Sequence, residues 1–186
     1  MKIQIKNRFT LAIIFECEAD SLKLGVELAV KAGANLHQAD LRGADLHEAD
    51  LHGANLHEAD LHEANLRGAD LRGADLYEAN LHQADLHGAD LHGADLHGAN
   101  LYEANLYGEK LTKTPIQILG LKWWVCITEK HIQIGCEIHD AAEWFSFKPA
   151  EITTMHSDAL EWWKIHKLLI KTMWQIHVDS LKKEGI

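Results

Sequence analysis

The chain has 186 residues, 47% of them apolar, and a net charge of -10, which leaves room for one elongated domain with end structures. No apolar run approaches the ~18 uncharged residues of a transmembrane helix, and Met1-Lys2-Ile3-Gln4-Ile5-Lys6 is no secretory signal, so no membrane contact and a cytoplasmic location are expected. Cys17, Cys126 and Cys136 are an odd set without framework spacing, which fits a reducing compartment.

In chain order, Ile3-Gln4-Ile5 and Ile13-Ile14-Phe15-Glu16-Cys17 alternate as two short strands of a hairpin turning near Asn7 to Thr10. Asp20-Ser21 then reads as the N-cap of an amphipathic helix through Leu22, Val26 and Ala29 that ends near Gly33. Cys17 is expected as a small apolar residue rather than a reactive thiol.

From Ala34 to Gly108 one phrase recurs fifteen times without an insertion: Ala, Asp or Asn, Leu, then two variable residues. A period of five fits neither a helix nor an isolated strand, so each unit reads as one side of a coil. Leu recurs every fifth position from Leu36 to Leu106, and Leu111 keeps the register. One large and one small apolar residue per unit would build dry Leu and Ala columns inside, and the Asp or Asn before each Leu is a turn former.

This A-(D/N)-L-x-x pattern resembles the pentapeptide repeat family. The resemblance implies an all-β solenoid: a right-handed quadrilateral β-helix of about four coils, with four pentapeptides per coil. The expected organisation is an N-terminal hairpin-plus-helix cap (residues 1–33) over the exposed coil edge, the solenoid (34–113) and a Trp-rich α+β module (114–186).

In that module Trp123-Trp124-Val125-Cys126-Ile127-Thr128 and His131-Ile132-Gln133-Ile134 read as a hairpin turning at Glu129-Lys130. Asp140-Ala141-Ala142-Glu143 has capping-box spacing, and Pro149 suits the first turn of a further helix. An apolar stripe from Ile152 through Met155, Ala159, Trp162, His166, Leu169, Met173 and Ile176, widened by Leu160, Trp163, Ile170 and Trp174, predicts a helix with more apolar surface than a lone helix carries. Trp162, Trp163, Leu169, Met173 and Trp174 are therefore the candidate partner or homodimer contacts. The run Pro115-Ile116-Gln117-Ile118-Leu119-Gly120-Leu121-Lys122-Trp123, with Ile127-Thr128, His131 to Cys136 and Trp144, resembles the terminal module of pentapeptide repeat proteins of tailed phages and prophages, which implies a phage accessory factor.

The acid is concentrated in the repeats, where nine Asp and five Glu face three Arg. Every fourth repeat shares a face, which stacks Asp50, Asp70 and Asp90 in one column and sets Glu58, Asp75, Glu78 and Asp95 on another face without Arg. Some members of the family mimic duplex DNA on gyrase-type enzymes, and the resemblance implies such a protein partner here, a host DNA-binding enzyme, rather than direct binding of nucleic acid. Gyrase-directed members are longer, often centre on Phe and in some cases carry a projecting loop, whereas this chain has Leu alone and no insertion. The alternatives are a structural scaffold that presents the Trp-rich module and a metal-binding protein.

Nine histidines follow a repeat Leu, and His37 with His57 and His62 with His82 fall on neighbouring coils, within reach of Glu58, Glu63 or Glu78. They read first as a solvated outer column. With ordinary pKa values of ~6.5 they would charge as pH falls toward 6 and cancel much of the acidic field. His131, Cys136 and His139 near one hairpin end are a weaker metal candidate, because strand alternation points His131 and Cys136 to opposite faces. Without a phosphate loop or a nucleophile beside the His and Asp residues, a catalytic centre and a cofactor are not expected.

Overall fold

The computed structural model describes residues 1–118 and 120–184, the last three by backbone alone. Leu119, part of the run that carries the phage resemblance, lies outside the described residues. The chain divides into two compact units, Met1–Thr114 and Pro115–Ile186.

The first unit opens with antiparallel strands β1 (Lys2–Lys6) and β2 (Ile13–Glu18), with Ile3 opposite Cys17 and Ile5 opposite Phe15. Asn7 builds the turn: its side-chain oxygen accepts the Phe9 and Thr10 N–H groups, each at 2.9 Å. Helix α1 (Leu22–Lys31) begins where Ser21 Oγ accepts the Leu24 N–H at 3.1 Å, an N-cap that contributes ~1 kcal/mol. Its inner face passes so close to β1 that a Cβ on Gly25 would sit 2.6 Å from Ile3 Cγ2. Glycine is the residue that fits.

The repeats then pair with themselves at a 20-residue interval. Parallel bridges link Asp40 to Asp60 to Asn80 to Asn100, Asp45 to Asn65 to Asp85 to Asn105, Asp50 to Asp70 to Asp90, and Asn55 to Asp75 to Asp95. The ladder is built of backbone bonds: Leu41 N–H donates to the Asp60 carbonyl, Asp60 N–H to that of Ala39 and Gly43 N–H to that of His62, each at 2.8 Å. Each pentapeptide is thus one quarter of a turn. Its corner is closed by the Ala N–H, which donates back to the preceding Leu carbonyl, at 3.1 Å for Ala44 to Leu41.

The fifth residue of all fifteen repeats has a positive φ, between 53° at Glu48 and 79° at Gly108. A positive φ at the third place of a four-residue turn is the type II pattern, which explains why glycine keeps returning there. The sequence reading took this place as freely variable; its conformation is fixed.

All sixteen leucines from Leu36 to Leu111 are at most 1% exposed, and the alanines from Ala39 to Ala104 lie beside them inside. The repeats end in a two-residue ladder, β3 (Asn105–Leu106) with β4 (Glu109–Lys110), turned by Tyr107 and Gly108, both at positive φ.

The second unit is an antiparallel sheet in the order β5 (Ile116–Ile118), β6 (Val125–Ile127), β7 (His131–Ile134), β8 (Glu137–Asp140), followed by α2 (Ala141–Ser146), α3 (Pro149–Met155) and α4 (Ala159–Glu184). The expected hairpin about Glu129 and Lys130 is β6 and β7, with Val125 opposite Ile134. Strands β5 and β8 were not foreseen. Val125, Ile127, Ile132 and Ile134 pack against Trp144, Trp162, Trp163 and Ile170, and Trp144 Nε1 donates to the Ile132 carbonyl at 2.6 Å.

Three helix readings change. Asp140 stands at the N-cap of α2 but makes no side-chain capping bond. The stripe expected from Ile152 onward is two helices, because His156 is extended (φ -162°, ψ 155°) and Asp158, paired with Lys122, begins the next segment. Along α4 the buried face runs through Ala159, Trp163, Ile170, His177 and Leu181, while Leu169 and Ile176 are exposed. A straight helix of 3.6 residues per turn drifts ~20° per heptad from a 3.5 repeat, and the predicted stripe followed the shorter period.

Candidate interaction faces

The Asp or Asn of each repeat is first a corner device. Its side-chain oxygen accepts the N–H two residues on, at 3.3 Å for Asp45 to His47, 3.0 Å for Asp75 to Tyr77 and 2.9 Å for Asp95 to His97.

The column of Asp50, Asp70 and Asp90 stacks as its spacing requires. Its field is partly cancelled. Arg72 grips Asp70 with Nε at 2.8 Å and Nη2 at 2.5 Å, and reaches Asp90 at 3.8 Å. That grip holds the Asp70 carboxyl at about 2, below its ordinary value. Counting acids alone passes over Arg72, which stands two residues after Asp70 in the same repeat, Ala69 to Gly73, and so on the same face.

The face of Glu58, Asp75, Glu78 and Asp95 is organised differently. Asp75 and Asp95 are bridged, and Glu58 and Glu78 N–H groups donate to the Tyr77 and His97 carbonyls at 2.8 and 2.9 Å, which sets them on successive turns. An aromatic row runs beside them: the His57 and Tyr77 rings stack 4.9 Å apart at 14°, and Tyr77 meets His97 at 5.5 Å. Carboxylate partners here are Gln38 for Glu58 (3.0 Å), His57 for Glu58 and Asp75, and Tyr77 for Glu78, whose hydrogen bond pushes the Tyr77 hydroxyl up. One cation intrudes from the N-terminal hairpin, since Arg8 Nη1 donates to the Glu58 backbone carbonyl at 2.9 Å.

Of the C-terminal candidates, Trp162 and Trp163 are buried and Met173 and Trp174 half-buried, with Trp174 Nε1 donating to the Glu129 carbonyl at 3.1 Å. They hold the core together. Leu169 alone of the five is exposed, in company with Ile165, Leu168 and Ile176.

His131, Cys136 and His139 do not converge. His131 pairs with Asp140 at one end of the β7 and β8 hairpin, and Cys136 sits in the turn at the other, beyond the Ile134 and Glu137 pair. Four strand residues at ~3.3 Å each separate them. The His139 nitrogens face Glu137 at 3.5 Å and Glu143 at 3.6 Å. Among the described residues the grouping of three metal-ligand side chains is elsewhere, at His37, His57 and Glu58.

No helix among the described residues is long and apolar enough to cross a membrane. Comparison with protein families finds Pentapeptide repeats (8 copies) at residues 32–68, 54–93 and 79–114. Three solved structures are similar in sequence over part of the chain. HetL, a pentapeptide repeat protein involved in heterocyst differentiation regulation from the cyanobacterium Nostoc sp. strain PCC 7120, is 44% identical over 42% of this chain and 39% of its own, with a TM-score of 0.29. A pentapeptide repeat protein from the Arabidopsis thaliana thylakoid lumen is 44% identical over 36% of this chain and 49% of its own, with a TM-score of 0.25. A second Nostoc PCC 7120 pentapeptide repeat protein is 37% identical over 42% of this chain and 75% of its own, with a TM-score of 0.22. The chain thus spans less than half of each of the first two relatives. No curated protein sequence matches it.

Hydrogen bonding at 20-residue intervals around a leucine interior defines a β-helical repeat solenoid, which in these repeats winds right-handed. The chain belongs to the pentapeptide repeat family through residues 32–114.

Proposed function

We propose that this chain is a non-enzymatic protein-binding module whose acidic solenoid takes the place of duplex DNA on a basic surface of a host DNA-binding protein. In this reading residues 1–33 cap the coil edge, residues 34–113 form about four coils, and residues 114–186 are the α+β module whose likeness to phage proteins suggests a phage accessory factor. The observation that carries the proposal is the face of Glu58, Asp75, Glu78 and Asp95, where four carboxylates stand on three successive turns and Gln38, His57 and Tyr77 partner Glu58, Asp75 and Glu78. Successive turns stack at ~4.8 Å and a DNA strand carries a charge every ~3.4 Å, so the two charge ladders are comparable in pitch.

The test is a combined variant, Glu58→Gln, Asp75→Asn, Glu78→Gln and Asp95→Asn. It places on this face residue types that other repeats carry at the same positions, as Gln38, Asn55, Gln83 and Asn100 do. A partner captured from host lysate by the native protein at low salt should be lost with the variant, displaced by added duplex DNA, and released at about 1 M salt, where the Debye length is ~3 Å. Capture that survives all three treatments rejects mimicry.

A second reading, a scaffold that presents a homodimerising C-terminal module, draws on the exposed Ile165, Leu169 and Ile176, spaced four and seven residues apart on α4. Sedimentation separates the two: a dimer dissociated by Leu169→Glu with Ile176→Glu favours the scaffold, and a monomeric native chain removes it.

A further inference from the structure

We infer that His37, His57 and Glu58 form a binding site for a divalent transition-metal ion, with zinc the best-matched occupant. Each of the three half-buried side chains offers one ligand atom, and the three atoms lie within 4.8 Å of one another. Two imidazoles and a carboxylate are a donor set that zinc uses in three-ligand sites, leaving a fourth position for water. Zinc–ligand bonds of ~2.0–2.2 Å set tetrahedral ligands roughly 3.3–3.6 Å apart, so a modest side-chain adjustment closes the site.

The surroundings of the three residues orient them for this role. His37 Nδ1 lies 3.0 Å from the His57 backbone carbonyl; a proton there donates to that oxygen and leaves Nε2 with its lone pair outward. Metal-binding histidines almost always engage their second nitrogen in this way. His57 repeats the pattern more loosely, with Nδ1 3.8 Å from Asp75 Oδ2 and Nε2 3.2 Å from Glu58 Oε1. Glu58 Oε2 accepts the Gln38 side-chain amide at 3.0 Å, which fixes the carboxylate and leaves Oε1 toward the imidazoles. Arg8 is the opposing charge, and it is directed to the Glu58 backbone carbonyl at 2.9 Å.

The other pair of histidines on neighbouring turns shows what this arrangement adds. His62 and His82 stack at 4.9 Å, and His62 Nδ1 likewise lies 2.9 Å from the His82 carbonyl, but it also faces His82 Nδ1 at 3.2 Å, and Glu63, 3.6 Å from His62 Nε2, does not complete a group of three as Glu58 does. At His37 the ligands come from two successive turns, and an ion there would clip one turn to the next. Binding therefore raises the melting temperature as well as occupying the site.

The experiment uses the full chain without a histidine tag, titrated at pH 7.5 with zinc chloride by calorimetry and with Co2+ by visible absorption. Two variants keep the fold by borrowing from other repeats. Glu58→Gly installs the residue found at this place in eight repeats, where Glu58 itself holds φ 54°, and His57→Tyr copies Tyr77 of the next turn. The expected result is one ion per chain, tetrahedral Co2+ bands and a zinc-dependent rise in melting temperature. In each variant affinity should fall by at least the ~10–100-fold that loss of a second-shell partner costs, while His82→Tyr, which copies Tyr102, leaves it unchanged. No stoichiometric ion in the native chain, equal weakening by His82→Tyr, or full affinity retained in both site variants overturns the assignment. The metal-free melting temperature of Glu58→Gly, at or above the native value, shows that its loss of binding is not unfolding.

Discussion

A single backbone angle governs what each corner of the solenoid tolerates. Gly73 sits at φ 64° with nothing within 4 Å of where a Cβ would be, so a larger residue there has space but the wrong conformation. Gly73→Val should therefore cost about 1–2 kcal/mol in urea unfolding from left-handed strain alone. A cost near zero would mean the corner relaxes. Asp70 makes the second residue-scale prediction. Its folded-state pKa is depressed to about 2 by Arg72. The stabilisation is therefore complete above the ordinary carboxylate value and is lost as pH falls toward 2. Because the pair is solvent-exposed, the contribution is about 1 kcal/mol or less. Arg72→Gln should remove that part of the acid destabilisation, read from melting temperatures between pH 5 and pH 2.

At the scale of elements, the long C-terminal helix separates two faces that a reading of apolar residues merges. Ile170 is fully buried against the sheet and Ile176 is exposed. Ile170→Ala should cost ~2–5 kcal/mol and Ile176→Ala no more than ~0.5 kcal/mol in the isolated chain. Equal costs would place both residues on one packed face. The same helix shows where sequence alone is a good guide and where it is not. Ser21 capping α1, Pro149 opening α3 and the leucine interior follow from local chemistry or from strict periodicity, and each stands where the sequence puts it. Strands β5 and β8 are only three and four residues long and owe their state to pairing with β6 and β7, which no local pattern announces. Likewise, the shared face of His37, His57 and Glu58 is legible from the repeat, whereas the Gln38 bond and the tilt of the rings that complete the site depend on packing between turns. Arg72 gripping Asp70 is local instead, two residues on in the same repeat, and a sort of the acidic residues alone passes it over.

For the molecule as a whole, nearly all of the net charge of -10 belongs to the first unit, and all six tryptophans belong to the second. The acidic faces there depend on arithmetic. Since hydrogen bonds join residues twenty apart and each pentapeptide supplies a quarter of that interval, the side on which a residue emerges is set by its count modulo four. Inserting Leu-His-Gly-Ala-Asn after Asp70 would preserve each inward leucine and corner glycine, yet swing everything downstream through ninety degrees and part Glu58 from Asp75, Glu78 and Asp95. A twenty-residue insertion of the same phrases would bring them back into line. Such a molecule works like a combination lock, in which whole clicks leave the mechanism sound while only a full revolution restores the code.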